Sequence, residues 1–270
     1  MLDKLIRHEF RATWKVLLLM DAVLLCVGIF GFFVLSTVAN LNKRNNDDYI
    51  GVIVTSYFLW FVLYMLAIFA ANLGTLIFLT IRYYRNLYSA EGYLTFTLPV
   101  ETKDLLHAKM INGYIWMFAG ALLTAFSVFL MVMGLMSGVD PYERAQILSE
   151  LSEIAVSLSP GMYVMFSLLG LIGPLQILMT VYFCITVGQL WQKHRIAGAV
   201  LCYVGLTFVS RTLHTFTTIG RFLTRFNQIE DAFEQYYLGT LGYSLGFAVI
   251  FCVVSYLVIR WINANKVNLA

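Results

Sequence analysis

Between Ile50 and Ile81 the chain runs for 32 residues without a single Asp, Glu, Lys, Arg or His. Coiled as an α-helix, such a run would extend roughly 48 Å, against a hydrocarbon core of about 30 Å. A helix on the surface of a soluble protein needs a polar face, and this stretch has none. The run therefore predicts a long membrane span that tilts or projects beyond the bilayer. Composition points the same way: 12% of the 270 residues are charged and 60% are hydrophobic, where a soluble domain carries about 25% charge.

Five further apolar segments complete an all-α membrane protein of one domain, residues 1–270. The expected spans are 16–39, 50–81, 110–137, 161–192, 196–220 and 236–259. The first is longer than the core of a signal peptide and follows fifteen mostly polar residues, so an uncleaved span is expected. Gly173-Pro174 predicts a kink in the fourth, because proline removes a backbone donor and crowds the preceding turn. The fifth is the weakest. Only Ile196–Ser210 precede Arg211, and a re-entrant hairpin over 196–220 is the alternative.

Charge sets the expected orientation. With six spans and the N-terminus inside, the cytoplasmic segments hold twelve Lys and Arg and the outer segments six. By the positive-inside rule both termini are cytoplasmic. Trp14, Trp191 and Trp261 then fall beside cytoplasmic boundaries, where interfacial aromatics belong.

Three segments outside the spans carry organisation of their own. Residues 2–15 set Leu2, Leu5, Ile6, Phe10 and Trp14 on one helical face, which predicts an N-terminal amphipathic interfacial helix. Asp140-Pro141-Tyr142-Glu143 has a cap, a first-turn proline and a capping-box carboxylate, and so predicts an outer surface helix near 141–158. The cytoplasmic segment between spans 2 and 3 is long and rich in aromatics, with Thr102 as the expected cap of the helix that follows.

Catalytic patterns are missing from the sequence. It has no phosphate loop, dinucleotide fingerprint, H-E-x-x-H or G-x-S-x-G. Its four cysteines lie in apolar runs without metal-ligand spacing. Catalytic, cofactor-binding and metal residues are therefore expected to be none. Asp21 is the single carboxylate within a span, and pairing with Lys15 or reaching headgroups is its structural reading. Asn72 and Gln176 line a path or hydrogen-bond between helices. Arg211 and His214 line an outer vestibule or mark the end of a short span. Gly242 and Gly246 form a G-x-x-x-G, read as close helix packing.

The stretch Tyr84–Pro99, Y-R-N-L-Y-S-A-E-G-Y-L-T-F-T-L-P, exposes apolar side chains rimmed by charge. It forms a partner surface, or it packs on the chain's own helix ends. With the following V-E-T-K-D-L-L-H-A-K it resembles the loop between spans 2 and 3 in permease subunits of bacterial type-2 ABC exporters, Gram-positive branch. The resemblance implies a cytoplasmic coupling loop received by a separate ABC ATPase subunit, which holds the ATP and magnesium. It implies Tyr88, Glu91, Gly92, Tyr93, Leu94 and Phe96 as coupling residues, with Arg85, Lys103 and Asp104 as charged contacts. It further implies a second permease, in a homo- or heterodimer, within the bacterial cytoplasmic membrane. Export of an amphipathic cargo such as an antimicrobial peptide, lipid or drug follows. Short outward hairpin helices over Arg211–Gln235 are also expected. An ion-coupled secondary carrier and a non-transporting scaffold or immunity subunit are the alternatives.

Overall fold

The computed structural model describes residues 2–44, 50–89, 92, 101–191, 194–225 and 232–265. Seven helices make up nearly all of them: α1 Leu2–Arg44, α2 Ile50–Tyr88, α3 Thr102–Met136, α4 Pro141–Ser157, α5 Pro160–Gly188, α6 Arg195–Arg225 and α7 Ala232–Asn265. All but α4 are long and apolar enough to cross a membrane. Their outward side chains are those of a lipid-facing protein: Leu19, Phe58, Phe208 and Phe216 are 65%, 69%, 72% and 70% exposed. In water, patches of this kind would drive association.

Several boundaries differ from the sequence reading. The amphipathic stretch 2–15 is helical but does not stop before the first span; α1 is one helix of 43 residues. No proline or glycine interrupts it at that point. Helix α2 runs on to Tyr88. Thr102 is the first residue of α3, and the cap position falls to Glu101, whose carbonyl accepts from the Asp104 amide at 3.0 Å. Helix α6 passes without a break from Arg195 to Arg225. That excludes a re-entrant hairpin over 196–220, and Arg211–Arg225 prolong a span where short hairpin helices were expected.

The chain divides into two compact units. One comprises Phe10–Ile77 and Ile115–Ser157, the greater part of α1, α2 and α3 together with α4. Thr13, Leu17, Leu24, Gly28, Gly31, Leu35 and Ala39 are its buried positions on α1, spaced to share one helical face. Glycines let α1 and α3 approach closely, as in membrane helix pairs generally. A Cβ on Gly28 would lie 2.5 Å from Ser127 Oγ, the atom that hydrogen-bonds Tyr64 Oη at 2.7 Å. Gly138 meets the backbone of Ala39 in the same way. Helix α4 is present where the Asp140-Pro141 pattern placed it, and none of its side chains is buried.

The other unit comprises Met1–Glu9, Phe78–Tyr114 and Leu158–Ala270. Helix α5 packs most extensively on α7 and next on α6, while α6 and α7 touch little. Leu178, Met179, Tyr182, Cys184 and Ile185 form the buried side of α5. Pro174 is buried inside α5, which continues through it. In the turn that the proline interrupts, Tyr114 Oη donates to the Leu171 carbonyl at 3.0 Å. A Cβ added at Gly242 or Gly246 would meet nothing within 4 Å, so the G-x-x-x-G does not pack helices within the described chain.

Candidate functional site

At the C-terminal end of α2, polar side chains from three helices converge. Tyr83 and Tyr88 lie a little over one turn apart on the same helix, and both are buried. Tyr83 stacks on Tyr182 of α5, with ring centroids 3.9 Å apart and planes 9° apart. Tyr88 Oη donates to Asn263 Oδ1 of α7 at 2.6 Å and lies 2.9 Å from Thr186 Oγ1 of α5. Tyr83 Oη sits 3.1 Å from the same threonine oxygen. One directed arrangement satisfies every hydroxyl: Tyr83 donates to Thr186, Thr186 to Tyr88 or to the Tyr182 carbonyl, and Tyr88 to Asn263. Buried polar groups stay in place only when so paired.

Beside this network lies a buried ion cluster. Glu9 of α1 accepts from Lys109 Nζ of α3 at 2.7 Å through Oε1, and from Arg82 Nε of α2 at 3.0 Å through Oε2. Lys109 and Glu9 are almost fully enclosed, and Arg82 is partly so. The cluster ties the first turns of α1 to the ends of α2 and α3. His107 Nε2, 2.8 Å from Tyr256 Oη, makes a second tie between α3 and α7.

The residues drawn from the loop resemblance fall into three groups. Tyr88 is not a surface side chain; it belongs to the hydroxyl network, so any contribution to coupling is made by holding the loop's start. Gly92 is buried and its amide donates to the Ser89 carbonyl at 2.8 Å. Arg85 is exposed, as is Lys103, whose ammonium pairs with Glu101 at 2.6 Å and holds that carboxyl below the usual carboxylate range. Asp104 is half-buried in the first turn of α3. Glu91, Tyr93, Leu94 and Phe96 lie outside the described residues.

Helices α5, α6 and α7 line an open cavity of about 370 Å³. Gln176 and Thr180 line it from α5, Tyr203, Thr207, Ser210, Arg211 and His214 from α6, and Ser244, Phe247 and Phe251 from α7. The structure thus brings together Gln176, Arg211 and His214 of the sequence candidates. His214 Nε2 lies 3.0 Å from Ser244 Oγ, joining α6 to α7. Tyr203, Thr207, Ser210 and Ser244 were missed. Their signal was available: 203, 207, 210, 211 and 214 follow helical spacing and set several polar side chains of α6 on one face.

Asn72 belongs to the other unit. Its amide donates to Thr124 Oγ1 of α3 at 3.0 Å and to the Ile68 carbonyl at 3.0 Å, bridging two helices. Asp21 faces the same place: a Cβ on Gly120 would lie 3.8 Å from Asp21 Oδ1 and 3.7 Å from Asn72 Oδ1. It therefore points to Gly120 and Asn72 rather than to Lys15. Among the described residues, no group of three or more His, Cys, Asp or Glu is placed to hold a metal ion. Comparison with family models, characterised proteins and solved structures finds nothing that matches the chain.

Proposed function

We propose that the chain is the membrane-spanning permease subunit of an ATP-binding cassette exporter. In this reading it lies in the bacterial cytoplasmic membrane with both termini inside, paired with a second permease. A separate ATPase subunit docks on residues 89–101 and supplies the energy. The observation that carries the reading is the anchoring of the helix end from which that segment departs. The segment leaves α2 at Tyr88, whose hydroxyl is fastened to Asn263 of α7 and lies against Thr186 of α5. Helices α5 and α7 also wall the cavity. A push on the loop would pass through buried hydrogen bonds to the helices around the cavity, and bistable packed elements are how such displacements travel.

The test is assembly followed by transport. Co-expressed with an ATPase encoded beside it, the tagged chain should retain that ATPase through detergent purification. Vesicles holding the complex should move an amphipathic cargo only while the ATPase is active. Retention of no ATPase, with transport driven instead by an imposed ion gradient, would replace this reading with the ion-coupled carrier. One observation favours that rival: Asp21, facing Asn72 inside a membrane helix, is where a coupling ion would be sought.

A further inference from the structure

We propose that the cavity between α5, α6 and α7 binds an amphipathic anion, a single apolar chain or small ring system ending in a carboxylate or phosphate. The first ground is charge. From residue 154 to residue 229 the sequence contains no Asp or Glu, and none follows Glu234. Helices α5 and α6 therefore have no carboxylate, and the cavity lining has none from any helix. Arg211 nevertheless stands in that lining. It is the seventeenth residue of α6, roughly 24 Å along the helix from Arg195. A guanidinium cannot be neutralised by losing its proton, and at membrane depth it requires an anion or water. Among the described residues no ion pair or side-chain hydrogen bond engages it.

The second ground is the arrangement around that charge. Gln176, across the cavity on α5, offers an amide, and Ser244 and His214 offer a hydroxyl and an imidazole on the α6–α7 side. Phe247 and Phe251 continue the wall along α7 as an apolar surface, their rings 6.2 Å apart. The cavity thus sets one cation and neutral polar groups beside an aromatic wall, as an anionic head on an apolar body requires. About 370 Å³ lies near the lower end of the range for small-molecule pockets, too little for a whole peptide.

As a statement about cargo the proposal rests on the exporter reading; as a statement about binding it does not, so binding is measured on the chain alone. The protein, in discs of zwitterionic phosphatidylcholine, is titrated with a pyrene-labelled fatty carboxylate and with the alcohol of equal length. The carboxylate should bind at least tenfold more tightly. Arg211→Gln should remove that preference, and Arg211→Lys should keep most of it, because the charge remains. Equal binding of carboxylate and alcohol by the unaltered protein would overturn the proposal, whatever the variants do. So would an undiminished preference in Arg211→Gln. Adding phosphatidylglycerol to the disc separates two sources of the same chemistry: displacement of the probe assigns the site to a membrane lipid, and no displacement assigns it to a free amphiphile. Both support an anion site. Failure of an ATPase to co-purify would remove the exporter reading and leave this result standing.

Discussion

Glu9 serves two cations at once, Lys109 through one oxygen and Arg82 through the other. Lys109→Met removes one cation and leaves the Glu9–Arg82 pair, whereas Glu9→Gln leaves both cations without their counter-charge. Breaking a buried pair so that one charge is uncompensated costs about 3–5 kcal/mol, and losing one charged hydrogen bond about 1.5–3 kcal/mol. Glu9→Gln should therefore lower the melting temperature in detergent further than Lys109→Met, and the reverse order would refute this account of the cluster. Tyr88→Phe tests the neighbouring network. It leaves Asn263 Oδ1 without its donor and should destabilise by about 1–3 kcal/mol by the same measurement. These groups were only half legible in the sequence. Tyr88 stood out among the loop aromatics, but its partners Thr186 and Asn263 are 98 and 175 positions away. Helical periodicity tells which residues share a face and says nothing of which distant face they meet. Glu9 and Lys109 lie in polar sequence flanking the apolar runs, where nothing local signals burial.

At the scale of helices, apolar run length identified all six spanning elements, because bilayer thickness fixes how long such a run must be. Run length alone left the α6 span, 196–220, the weakest of the six, although it is there. Its uncharged stretch stops at Arg211 because the helix turns a polar face to the cavity, and the backbone continues for fourteen residues beyond that arginine. Glycine was harder to read. A Cβ added at the G-x-x-x-G of α7 would meet nothing within 4 Å, whereas Gly28, in no motif, and Gly134, which forms a G-x-x-x-G with Gly138, sit at a close helix crossing. Proximity belongs to the pair of helices, and one helix's sequence contains half of it. Substitution by alanine separates the two kinds. Gly28→Ala puts a Cβ against Ser127 Oγ and must disturb its hydrogen bond to Tyr64, at a cost of about 1–3 kcal/mol. Gly170→Ala and Gly205→Ala meet open space within helices and should be neutral or stabilising by up to about 1 kcal/mol. Thermal unfolding of the three variants checks the contrast, and a loss at Gly205 as large as that at Gly28 would contradict it.

For the whole molecule, orientation comes before mechanism, since a coupling loop is useful only on the side where ATP is. Helix α4 and the end of α7 are separated by α5, α6 and α7, three spanning-capable helices, so they should face opposite sides. In a variant with all four cysteines replaced by alanine, Tyr142→Cys should react with an impermeant maleimide in intact cells. Asn265→Cys should react only after permeabilisation. Labelling of both from outside would mean that one of the three helices does not cross. In the exporter reading, work on a cargo is delivered through contact with a separate ATPase subunit. Contact and transmission then reside in different residues and fail in different ways. Glu91→Arg with Tyr93→Ala alters the side chains assigned to contact, and should release the ATPase or abolish its stimulation by cargo while membrane insertion is unchanged. Tyr88→Phe alters the buried anchor and leaves the side chains assigned to contact unchanged. It should keep the ATPase bound but lower transport per ATP hydrolysed, because the loop's displacement is no longer held to α7. Loss of ATPase attachment in Tyr88→Phe, with normal attachment and transport in the double variant, would invert these roles and defeat the mechanism.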